Sequence, residues 1–431
     1  MKNIKKLISL ILVVAFCITG VCGCGNIANQ ENATQSIVKN NLSKDGYKLE
    51  RVVVLSRHNI RSPLSDKGSV LDTMTPHDWI PWSSKASELS LRGGILETEM
   101  GQYFRKWLEK EGLFPENYMP RDGEVRIYAN SKQRTISTAN YFKTGLLPVS
   151  NLPVEYHMDY DNMDPVFNPQ LTNINEQFKV EALQQMQEIY SSRMADLSDN
   201  YKLLGEVIDV EESEDYKSGK FTGFKPGDDT FTLEEMKEPA LKGSMKTACS
   251  LSDALVLQYY EANPVNVAFG KHLSMKQWKD IAEIKDVYQD VLFSAPKIAT
   301  NVANPLLKEI RAELDNNTRN FSFLCGHDSN ISSVMSALSI ENYNLPDAIE
   351  KTPIGCKLVF CKWADSSGKE YISIDMLYQS LNQLKGTTLL DESNPPCIVE
   401  LKFDGLEPNP NGLYTLEDVM GRLDRAISDY N

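Results

Sequence analysis

Five histidines and eight cysteines are few for a chain of 431 residues, and they do not fall into the spacings that metal or redox sites need. There is no CxxC pair and no Cys/His set at zinc intervals. Nor do Asp and His cluster as ligands for metal-assisted hydrolysis would. Cys17 and Cys22 lie in the N-terminal region. Cys249, Cys325, Cys356, Cys361 and Cys397 are an odd number at irregular intervals, so they form no disulfide framework, although one or two bridges stay open. Positive charge is also scarce: 45 Lys and Arg against 59 Asp and Glu leave a net charge of -14. That excludes the basic surface by which nucleic acid or anionic lipid is bound. No internal repeat is visible. With 41% hydrophobic and 24% charged residues, the composition is that of a globular protein able to build a sizeable core.

The N-terminus is different in kind. Lys2, Lys5 and Lys6 precede an apolar run over residues 7–18, too short to span a bilayer and suited to the core of a secretory signal. Val21-Cys22-Gly23-Cys24 follows, similar to the bacterial lipobox, in which the cysteine after a small residue is lipidated. Residues 1–23 are expected to be a cleaved signal and Cys24 the lipid-bearing mature N-terminus, with an ordinary signal peptide as the alternative. Either way the protein is exported, and membrane contact is expected only through the anchor. Residues 24–46, rich in Asn, Gln, Glu and Ser, read as a flexible tether.

The stretch RVVVLSRHNIRSP, residues 51–63, is an apolar strand that ends abruptly in charge. A continuous β-branched run is the pattern of a strand buried on both faces, and open α/β sheets place ligands at its carboxyl end. Helical periodicity follows over residues 91–111, a second strand over 124–129, and a second helix over 133–146. The alternation predicts an α/β fold with a parallel-type central sheet and flanking helices. From residue 168 to 306 the signals are mainly helical, so a smaller helical subdomain is expected to be inserted there and to cover the site. Residues 47–167 and 307–431 would form the core. Strands resume at 320–325, 357–363, 371–377 and 398–403, and a helix over 416–427 closes the chain.

Three strand ends are polar. The first carries Arg57, His58 and Arg61, the second Arg134, and the third His327 and Asp328. Arginine's planar fork grips phosphate oxygens in pairs and neutralises the charge that repels a nucleophile. A neutral His58 could then attack phosphorus, Asp328 could protonate the departing oxygen, and a helix beginning near Ser329 would favour the anion. Periodicity alone does not bring the three ends together.

Arg57-His58-Asn59-Ile60-Arg61-Ser62-Pro63 resembles the RHGxRxP signature of the histidine acid phosphatases, and Gly326-His327-Asp328-Ser329-Asn330 resembles their distal HD motif. Segments 129–135, 163–169, 257–261, 352–355 and 378–380 extend the likeness across the domain. It is stronger to the glucose-1-phosphatase branch than to the phytases. The resemblance implies a phosphoglycerate-mutase-like core, nucleophile His58, phosphate ligands Arg57, Arg61, Arg134 and His327, proton donor Asp328, and no cofactor. It also implies that Glu238, on the helical subdomain, narrows the pocket, against the alternative of a solvated carboxylate. The substrate would be a phosphate monoester such as glucose 1-phosphate or, alternatively, phytate. A non-catalytic lipoprotein that binds phosphorylated ligands is a rival of another class. Asn59 departs from the signature's glycine; asparagine tolerates a left-handed backbone best after glycine, so the loop is expected to survive the change.

Overall fold

The computed structural model describes residues 36–65, 69–262 and 267–430. The expected signal peptide and Cys24 lie outside them. Ten strands occur among these residues: β1 Ile37–Lys39, β2 Lys48–Arg57, β3 Val125–Ala129, β4 Thr230–Thr232, β5 Ala240–Lys242, β6 Phe321–Gly326, β7 Lys357–Ala364, β8 Glu370–Tyr378, β9 Cys397–Glu400 and β10 Tyr414–Thr415. The α-helices are α1 Val70–Thr73, α2 Leu91–Lys110, α3 Gln133–Leu146, α4 Glu176–Ala195, α5 Ser198–Val207, α6 Glu214–Lys217, α7 Ser244–Glu261, α8 Met275–Phe293, α9 Pro296–Asp315, α10 Asp328–Ala337, α11 Leu381–Gly386 and α12 Leu416–Ser428. None is long and apolar enough to cross a membrane.

The central sheet runs β1-β9-β8-β7-β2-β6-β3, with β10 beside β8. β2, β6 and β3 are parallel, as the strand–helix alternation predicts. β7, β8, β9 and β1 continue the sheet antiparallel, because the short link between β7 and β8 allows only a hairpin. The run after Arg51 shows why β2 is central. Val52 and Val54 point into a core shared with α2 and α3, while Val53 and Leu55 point into a core shared with α9, α10 and α12. All four are fully buried, each worth roughly 1.5–3 kcal/mol of apolar transfer. A third core joins α4, α5, α7 and α8 and reaches Ile60, Ile349 and Ile354 beside the strand ends.

Two expectations about organisation need correction. Residues 36–46 are not a tether: β1 pairs antiparallel with β9, Leu42 is fully buried, and Lys39 Nζ lies 2.6 Å from both Asp375 and Glu400. The carboxylates that hold this segment come from the far end of the chain, so its local composition could not reveal them. The boundary expected at residue 306 falls inside α9. Ala295, Ile298 and Val302 pack in the helical core, and Ala303, Leu306, Leu307 and Ile310 pack under the sheet. One helix thus serves both layers, and the described residues belong to one compact unit. Within the helical region α7 begins at Ser244, where Asp228 and Asp229 accept hydrogen bonds from the Ser244 and Met245 N–H groups at 2.9 and 3.1 Å.

Candidate active site

The parallel register aligns Arg57 with Gly326, so the first and third polar strand ends meet at one edge. His58 N–H donates to the Gly326 carbonyl at 3.0 Å, which sets the loop against the strand carrying His327. Gly93 lets α2 press onto this loop: a Cβ there would stand 2.4 Å from the Ile60 carbonyl oxygen. Gly355 does the same from the other side. Its φ is +67°, its N–H donates to the His58 carbonyl at 3.1 Å, and a Cβ would meet Asn59 Nδ2 at 2.6 Å.

Asn59 does not adopt a left-handed backbone, contrary to the expectation from its place in the signature. Its side chain explains the residue. Nδ2 donates to the buried Glu97 at 2.9 Å, Oδ1 accepts from the Ile60 N–H at 2.9 Å, and Glu97 is neutralised by Lys357 at 2.8 Å.

His58 is buried, with Nδ1 2.9 Å from the Asn59 carbonyl oxygen. A carbonyl accepts only, so Nδ1 carries the proton and Nε2 keeps its lone pair. Burial and the surrounding Arg134, Arg61, His327 and Arg57 hold the His58 pKa well below its ordinary value, and the ring is neutral at working pH. The His327 ring stands 5.5 Å away, edge on. Its tautomer is fixed too. Asn130 Oδ1 accepts from the Asp164 N–H at 2.8 Å, so Nδ2 is the atom 2.6 Å from His327 Nε2. Nδ1 of His327 is therefore the N–H donor, and it lies 3.5 Å from an Arg134 nitrogen. Two donors facing each other call for a shared anionic acceptor.

The arginines fit the same acceptor. Arg61 pairs with Asp253 of α7 at 2.9 Å, and Arg57 with Glu350 at 2.9 Å and Asp328 at 3.3 Å. The Nε groups of Arg57, Arg61 and Arg134 are buried without a hydrogen-bond partner. Burial and the nearby Arg61 push the Arg134 pKa down to about 10, a cost that bound negative charge would relieve. The structure thus brings all six residues of the three strand ends together. Glu238, between β4 and β5, is exposed to solvent, yet enough protein surrounds its carboxylate to raise its pKa, opposed by Arg134 and Lys132. It lies within electrostatic reach of the pocket without touching the arginines.

Sequence reasoning missed the carboxylate and the lysine that complete the centre. Glu350, 3% exposed, bridges Arg57 and Lys285 and accepts from the Tyr260 hydroxyl at 2.8 Å. Burial opposes its ionisation, but Arg57 and Lys285 hold its pKa at about 2. Lys285 Nζ also lies 3.1 Å from Asp328 Oδ2. Burial alone would raise the Asp328 pKa; Lys285 and Arg57 instead hold it well below the carboxylate range. The available signal was polarity on inward helix faces: Lys285 and Gln289 on α8 and Asp253 on α7 interrupt apolar stripes. The five cysteines, Cys249, Cys325, Cys356, Cys361 and Cys397, are free thiols. Among the described residues no group of His, Cys, Asp or Glu converges as metal ligands would.

The family described as histidine phosphatase superfamily, branch 2, matches residues 48–379. The chain is 38% identical over 387 residues to a glucose-1-phosphatase of Salmonella typhimurium, covering 89% of this chain and 93% of that one. It is 27% identical over 398 residues to phytase AppA of Escherichia coli, covering 87% and 91%. A solved structure of Hafnia alvei phytase with myo-inositol hexakis sulphate is similar with a TM-score of 0.81 at 27% identity, covering 89% of this chain and 98% of that one.

Proposed function

Because the chain belongs to branch 2 of the histidine phosphatase superfamily and is a phosphoric monoester hydrolase, we propose that it cleaves glucose 1-phosphate or a closely related sugar phosphate through a phosphohistidine. The observation that carries this reading is the neutral His58 ring, its Nδ1 tied to the Asn59 carbonyl and its surroundings made of Arg57, Arg61, Arg134 and His327. Nε2 attacks phosphorus while the arginines and the His327 N–H hold the phosphoryl oxygens and absorb their charge. Asp328 protonates the departing alcohol and afterwards takes a proton from the attacking water. In the free site Asp328 is ionised. A bound phosphoryl group offsets the cations around it and raises its proton affinity.

Glucose 1-phosphate is favoured over phytate by the higher identity to the glucose-1-phosphatase. The charge of the walls favours it too: Asp253 and Glu238 near the arginines disfavour a polyanion, and Glu238 acts by narrowing the pocket. The similarity to a phytase holding inositol hexakis sulphate keeps phytate as the second reading. Phosphate release from glucose 1-phosphate, other sugar phosphates and phytate decides between them. Phytate turnover above that of glucose 1-phosphate reverses the assignment. A radiolabelled ester quenched in alkali is expected to leave label on His58.

We further propose that residues 1–23 direct export and that Cys24 carries a lipid anchor. The support is the lysine-bearing start, the apolar run and the lipobox-like Gly23-Cys24. Cys24→Ser is expected to move the protein from the membrane fraction to the soluble one; an unchanged distribution removes the anchor.

A further inference from the structure

Lys285 projects from α8 into the catalytic centre, 5% exposed. Its Nζ lies 2.8 Å from Glu350 Oε1 and 3.1 Å from Asp328 Oδ2, the same two carboxylates that Arg57 contacts. The four charges form a closed, neutral set. The two cations differ in what else they serve. Arg57 is one of the three guanidiniums whose buried Nε awaits an acceptor, so an incoming phosphoryl group draws on its charge. Among the described residues, Lys285 forms ion pairs with these two carboxylates alone.

We infer that Lys285 is a positioning residue that sets the acid strength of Asp328 as the alcohol departs. This rests on the phosphoester reading above. While His58 Nε2 forms its bond to phosphorus, the bond from phosphorus to the alcohol oxygen breaks. That oxygen keeps the electron pair and takes the proton from Asp328. The carboxylate left behind is stabilised by Lys285, which makes Asp328 a stronger acid and confines its protonated form to lower pH.

Other charges face these groups. Arg57 at the end of β2 and Arg134 of α3 act on Asp328 by charge, and the neutral His58, His327 and the Cys249 thiol of α7 face it. Arg57, opposing its charge, and Glu350, Asp253 of α7 and Asp286, favouring it, act on Lys285. Neutralising Lys285 leaves one buried negative charge in excess. Glu350 is held by Arg57, the Tyr260 hydroxyl and the Ile354 N–H. Asp328, with a side chain 23% exposed and 3.3 Å from Arg57, is therefore the group that takes the added proton.

The test measures kcat for glucose 1-phosphate and for p-nitrophenyl phosphate, whose leaving group needs no proton, from about pH 3 to 8 on the full chain. In Lys285→Gln the glucose 1-phosphate rate is expected to fall about tenfold relative to the aryl ester at the acidic end, and its alkaline limb to rise by about one pH unit. The aryl ester limb stays in place, and Lys285→Arg keeps the wild-type curve. Lys285→Met is the second neutral substitution should the glutamine variant fail to fold. A wild-type ratio curve in the neutral variants, or equal changes on both substrates, overturns the inference. Absence of turnover by the wild type on either ester is a different result: it overturns the phosphoester reading itself.

Discussion

Two buried charge clusters sit on the same sheet and do different things. At the carboxyl ends of β2 and β6, Arg57, Lys285, Glu350 and Asp328 form one set. At the other edge, Lys39 of β1 pairs with Asp375 of β8 and Glu400 of β9, and Lys44 approaches Glu400 at 3.5 Å. The second cluster turns its cations onto carboxylates and locks an otherwise polar segment to the sheet. The first holds an arginine donor, Arg57 Nε, without a protein acceptor and an acid whose side chain is 23% exposed. A cluster that only stabilises turns its cations onto its own carboxylates, even where one acceptor, Asp375 Oδ2, is left without a hydrogen bond. One that binds and reacts keeps donors in hand for a ligand.

The sharpest way to break the comparison is to remove one member from each side. His58→Ala is expected to lose about 10⁴-fold or more of turnover while its thermal unfolding stays close to wild type, because the ring lies outside the three apolar cores. Lys39→Met is expected to do the opposite. It leaves Asp375, whose side chain is fully buried, without its main counterion and costs about 3–5 kcal/mol in denaturant unfolding, with kcat per folded molecule unchanged. A matched loss of activity in Lys39→Met would show that the edge cluster reaches the site.

Acid separates the clusters next. The Glu350 pKa is held at about 2 from an ordinary 4.5, so its stabilisation is present above the unfolded value and is lost as pH falls through about 2. The His58 and His327 pKa values are depressed by burial and by Arg134, so unfolded chains gain protons there below the ordinary histidine value and stability falls. Asp375 runs the other way. Burial raises its pKa against the pull of Lys39, so protonation costs the edge cluster less. Hydrogen exchange at falling pH is expected to lose protection in residues 350–356 before residues 37–39, and the reverse order contradicts the comparison.

The smallest effect concerns Asp286, beside the catalytic cluster. Burial pushes its pKa up to about 8 against the opposing Lys285, and Oδ1 has no hydrogen-bond partner. A raised carboxyl pKa means that stability declines as pH climbs from the ordinary aspartate value toward 8. Asp286→Asn is therefore expected to stabilise the protein by about 1–2 kcal/mol at pH 8 and to match wild type near pH 4, checked by thermal unfolding at both.

The strand ends were legible because each is local: an apolar run stops and a charged tripeptide begins, and both events are written in consecutive residues. Arg57, His58, Arg61, Arg134, His327 and Asp328 could be named for that reason. Glu350, on a loop, left no periodic trace, and Lys285 left only a break in the apolar stripe of α8 that names no partner. The segment from residue 36 reads as a tether for the same reason. Lys39 reads as a solvated lysine until β8 and β9 bring it carboxylates. Asn59 was noticed for its backbone but serves through its amide, a contact with Glu97 that only folding creates.

The sequence by itself therefore determined the α/β order, the central strand and the chemical types at three strand ends, because hydrophobic period and residue chemistry act over a few residues. The tertiary structure alone decided that those ends converge, which tautomers His58 and His327 hold, and that Lys285 and Glu350 surround the acid. Those depend on burial and on charges within a few ångströms, and both are properties of the packed chain.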